Sequence, residues 1–61
     1  MLERQLPEEL RREIFLALVV AQDQGMTVLQ SRKAIARRFT ISQDSLVKIE
    51  HEGLENDWPL S

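Results

Sequence analysis

A chain of 61 residues without cysteine and with one histidine, His51, has no disulfides, no thiolate metal ligands and no histidine pair to build a zinc site, so no cofactor is expected. Its 43% hydrophobic and 30% charged residues describe a single small globular domain over 1–61 that is marginal alone and gains from a partner subunit. A net charge of −2 speaks against a polyanionic partner until the charge is divided along the chain, as below.

The start mixes both charge signs without an early apolar region, so no signal peptide is expected. Pro7 suits a first helical position, because its fixed φ is already helical and its missing N–H is not needed there. Glu8 and Glu9 follow where carboxylates favour the helix dipole, and Gly25 is a natural terminator, which predicts a helix over 7–24. Its apolar run Ile14–Ala21 is too short to span a bilayer, and a cytoplasmic protein is the expectation. Leu10, Ile14, Leu18 and Ala21 suffice as an inward stripe. Phe15, Leu16, Val19 and Val20 are then surplus. Either a second copy covers them, making a homodimer through this helix, or the C-terminal end with Trp58 and Leu60 folds back over them, or all four belong to the internal core.

Thr27 with Gln30 fits a capping box and Ser31 is a competing cap one turn later, so a second helix is expected over 27–39. Leu29, Ile35, Ala36 and Phe39 give it an apolar stripe. Thr40-Ile41-Ser42 breaks the pattern, and Ser42 caps a third helix over 42–55. Leu46 and Ile49 turn inward there, with Leu54 a further candidate. Gly53 either ends that helix or weakens it, Pro59 stops anything helical, and residues 52–61 form an acidic tail. No segment alternates long enough for a strand, so the fold class is all-α with three helices.

Residues 30–49 carry Arg32, Lys33, Arg37, Arg38 and Lys48 against Asp44, a local balance of +4. Residues 1–29, with three arginines and five acids, sum to −2, and Glu50, Glu52, Glu55 and Asp57 give the last twelve residues −4. A basic block between acidic ends is the electrostatic footprint of a nucleic-acid contact.

The stretch from Arg32 to His51 resembles the helix-turn-helix motif, in the form found in the lactose-repressor family and in the DNA-binding region of sigma factors. Ala36 stands at the small position where the two helices approach. Ile35, Phe39, Ile41, Leu46 and Ile49 stand at the positions such motifs bury, and Ser42 at the cap of the second helix. One residue departs: the turn normally holds glycine in a left-handed conformation, and Thr40 stands there, at a cost of about 1–3 kcal/mol. The resemblance covers residues 31–51. It implies that the third helix enters the major groove of double-stranded DNA, as in transcriptional regulators. Gln43, Asp44, Val47 and Lys48 would then face base edges. Ser42 would meet phosphate at the helix start, and Arg32, Lys33, Arg37 and Arg38 would supply sequence-independent phosphate contacts.

Each residue also has a simpler reading. Arg37 and Arg38 favour a helix end in any case, Asp44 is an ordinary first-turn residue, Lys48 can pair with Asp44 or Glu52 four residues away, and His51 is a surface residue. Enzymatic function is not expected, since there is no glycine-rich phosphate loop and no nucleophile with an evident partner. The rival is a protein–protein interaction module on the same scaffold.

Overall fold

In a computed structural model that describes residues 6–59, the chain forms α1 (Glu8–Asp23), α2 (Val28–Phe39) and α3 (Gln43–Glu55), with no strand among those residues. The boundaries follow from caps legible in the sequence. Pro7 precedes α1 with φ −57°, and Glu8 and Glu9 occupy the first turn. At α2 the capping box settles the choice between Thr27 and Ser31. Gln30 N–H donates to the Thr27 hydroxyl at 3.1 Å, and Thr27 N–H donates to the Gln30 side chain at 3.1 Å. Ser31 is instead fully buried; its hydroxyl donates to the Val28 carbonyl at 2.9 Å and accepts from Gln22 Nε2 at 3.1 Å, which ties α1 to α2. Ser42 accepts from Ser45 N–H at 3.1 Å and opens α3.

All three helices stop by the same device. An N–H just beyond the helix reaches five residues back, Met26 to the Ala21 carbonyl at 3.2 Å, Ile41 to Ala36 at 3.0 Å and Trp58 to Gly53 at 3.0 Å. Each bond needs one left-handed residue before its donor, and Gly25 (φ 102°), Thr40 (φ 57°) and Asp57 (φ 51°) supply it. The apolar residue after each turn then folds back on the core. Met26 and Ile41 are partly buried against it, and Trp58 lies within it.

The core comprises Ile14, Phe15, Leu18 and Ala21 of α1, Ile35 and Ala36 of α2, Leu46 and Ile49 of α3, and Trp58. Every pair of helices is in contact. Phe15 is 4% exposed and meets Trp58 edge to face, with ring centroids 5.9 Å apart at 79°. Its expected place in a dimer interface is thereby corrected: the chain's own C-terminal end covers it, while Leu60 lies outside the described residues.

Two further expectations change. Leu29 and Leu54, placed on inward stripes, are 60% and 66% exposed. Gly53 neither ends nor merely weakens α3. It is buried within the helix, and a Cβ there would fall 2.4 Å from the Phe15 ring, so its missing side chain sets how closely α1 and α3 approach.

Candidate nucleic-acid interface

The turn between α2 and α3 fixes how the second helix is presented. Thr40 adopts φ 57°, ψ 48°, the left-handed conformation expected at that position although the residue is β-branched. Ala36 and Ile35 before the turn and Leu46 and Ile49 after it are buried, and Phe39 and Ile41 are half-buried. With that stripe turned inward, Gln43, Asp44 and Lys48 are exposed and Val47 is half-buried on the outer side of α3, with His51 one turn beyond Val47. The expected base-facing residues thus share one surface, beside the exposed Ser42.

On α2, Lys33 and Arg37 are exposed one turn apart, without an ion pair among the described residues. Arg38 is also exposed, and its guanidinium lies 5.3 Å from the centroid of the Phe39 ring. Lys48 pairs with neither Asp44 nor Glu52. Glu52 is occupied elsewhere, by Arg11.

Arg32 is the exception in the basic block. Its Nε and Nη2 donate to Glu50 Oε1 at 3.1 and 2.9 Å, a half-buried pair that joins α2 to α3. Arg32 is therefore corrected from a phosphate contact to a structural tie in this state. On the opposite flank of α3, Arg11 grips Glu52 with two bonds, Nε at 2.8 Å and Nη2 at 3.0 Å, and also donates to the Leu6 carbonyl. The hydrogen bond to Glu52 raises the Arg11 guanidinium above its already high ordinary value, so it stays charged wherever the domain is folded. Sequence reasoning missed both ties, since partners 18 and 41 residues apart leave no local signal.

These pairs redraw the electrostatics. Adding Glu50 to the +4 block leaves +3, carried by Lys33, Arg37, Arg38 and Lys48 against Asp44. Glu50 and Glu52, the nearer half of the acidic cluster, are spent on the flanks of α3. The separation of basic face from acidic end survives.

Of the residues expected in a dimer interface besides Phe15, Leu16 and Val19 are half-buried and Val20 is 42% exposed. Among the described residues, no helix is long and apolar enough to cross a membrane, and no group of His, Asp and Glu side chains is placed to hold a metal ion.

No protein-family model, curated protein or solved structure matches this chain.

The strain at Thr40 is directly measurable. Thr40→Gly should raise stability by roughly 1 kcal/mol, because glycine adopts φ 57° without a Cβ clash and Thr40 is exposed with no side-chain hydrogen bond to lose. Thermal unfolding followed by circular dichroism checks it. A lower melting temperature would mean that the turn has another geometry.

Proposed function

We propose that residues 31–51 act as a helix-turn-helix DNA-binding unit, in a transcriptional regulator or another DNA-docking factor, with α3 in the major groove. The observation that carries this reading is the outer side of α3, where Gln43, Asp44, Val47 and Lys48 share one surface beside the exposed Ser42. Four cations without a carboxylate partner among the described residues support it, on the elements that would face the duplex. In this reading Gln43 and Lys48 read adenine and guanine edges, Val47 touches a thymine methyl and Asp44 accepts from cytosine. Lys33, Arg37 and Arg38 contact phosphate, and Ser42 with the first N–H groups of α3 holds another.

With Phe15 internal, a homodimer through α1 would rest on Leu16, Val19 and Val20 alone, of which only Val20 is exposed. The proposed unit is therefore one copy, bound to DNA alone or within an assembly.

Arg37→Ala with Arg38→Ala should weaken binding to all duplex sequences alike and flatten the dependence of log K on log salt by about 1–2 units. Mobility shifts with random duplex at several salt concentrations measure both quantities. Unchanged affinity for random DNA would sink the reading. It would favour the interaction module, for which the exposed Leu29 and Leu54 speak.

A further inference from the structure

The outer face of the first half of α1 carries a feature that the DNA reading does not use. An open groove of about 600 Å³ lies there, with Pro7, Leu10, Leu16 and Pro59 as its apolar lining. Its volume suits several side chains of a peptide rather than one small ion. Glu9 and Glu13 stand on its rim, exposed, four residues apart and without a cationic partner among the described residues. Like charges at that spacing disfavour a helix slightly, and while Glu9 suits the first turn of α1, Glu13 has no such role. The one rim cation, Arg12, is already engaged. Its Nη2 lies 2.8 Å from Glu8, and its guanidinium sits 5.5 Å from the Trp58 ring centroid.

We infer that this groove is a docking site for a basic, aliphatic segment of another protein. The occupant places leucine-like side chains on Leu10 and Leu16 and a lysine or arginine against each of Glu9 and Glu13. Charge complementarity selects it: an acidic segment would meet two uncompensated carboxylates, and a nucleic acid would be repelled outright. The groove lies on the face of α1 turned away from α2 and α3, so it stays open while those helices hold another ligand. The inference stands apart from the DNA reading, and neither fails with the other.

Trp58, the single tryptophan, borders the groove through Arg12 and Pro59 and provides a label-free signal. The full chain is titrated with a synthetic amphipathic Leu/Lys peptide, using a Leu/Glu peptide of the same design as control. The Leu/Lys peptide should give a saturable change in Trp58 emission, about tenfold weaker in Glu9→Lys/Glu13→Lys through loss of two rim attractions. Glu55→Lys, at the far end of α3, should bind like the parent. Circular dichroism melts establish that each variant is folded, and Glu9→Gln/Glu13→Gln replaces the reversal if it is not. Equal binding of the Leu/Glu peptide, equal weakening by Glu55→Lys, or no binding of the Leu/Lys peptide would overturn the inference. Self-association of the parent that Glu9→Lys/Glu13→Lys abolishes in sedimentation would assign the groove to a second copy. Tighter peptide binding after removal of residues 60–61 would assign it to the chain's own end, and either result overturns it.

Discussion

Trp58→Ala should leave the domain largely unfolded at room temperature, although residue 58 lies beyond the last helix. The ring is 6% exposed, meets Phe15 edge to face and carries the Arg12 guanidinium on its outer side. Truncating a buried tryptophan costs about 3–5 kcal/mol. A domain of this length has about 3–9 kcal/mol in total. Loss of the helical circular dichroism signal, or a melting transition too low to resolve, is the expected result. Trp58→Phe keeps a ring over Phe15 and should retain a cooperative melt. A parent-like transition in Trp58→Ala would show that the C-terminal end does not cover α1.

Gly53→Ala is the second large effect, and its sign separates two physical terms. In an open helix the change would stabilise by about 1 kcal/mol through helix propensity. Here the new Cβ would lie 2.4–2.7 Å from three atoms of the Phe15 ring, closer than any ordinary contact, and the ring is itself pinned beneath Trp58. Overpacking of this kind costs about 1–3 kcal/mol and sometimes more. The net expectation is a clear loss of stability, measured by chemical denaturation. Phe15→Leu in the same chain should recover part of it, because the two positions are coupled by contact. A gain from Gly53→Ala alone would show that α1 and α3 stand further apart.

The helix boundaries were legible because they rest on local chemistry. Pro7, the Thr27–Gln30 box, Gly25 and Ser42 act within a turn of themselves, and each boundary falls within one residue of its expected place. The left-handed conformation at Thr40 stayed open in the sequence, between a strained turn and a reshaped one, since nothing in a threonine alone announces φ 57°. The inward face of α1 was less so. A helix apolar on every side does not say which of its residues the core takes, and Phe15 was decided by Gly53 and Trp58, both far along the chain. Arg32 shows the same limit for charge. Its block reads as phosphate-binding until the fold brings Glu50 beside it. The choice between Trp58 folding back and a second copy stayed open in the sequence for the same reason.

The two ties on α3 have a consequence for its freedom of movement. Arg32–Glu50 holds one flank and Arg11–Glu52 the other, each half-buried, with the buried stripe between them. Rotating α3 about its own axis would lengthen one tie and drive the opposite carboxylate into the core. Torsional slack in this helix is therefore small, and the outer row Asp44, Val47, Lys48 and His51 is held at a fixed azimuth before any ligand arrives. Under the proposed DNA reading, recognition through that row would carry no ordering penalty for the helix itself. Both ties are ionic, and at high ionic strength the domain should lose orientational stiffness before it loses helix.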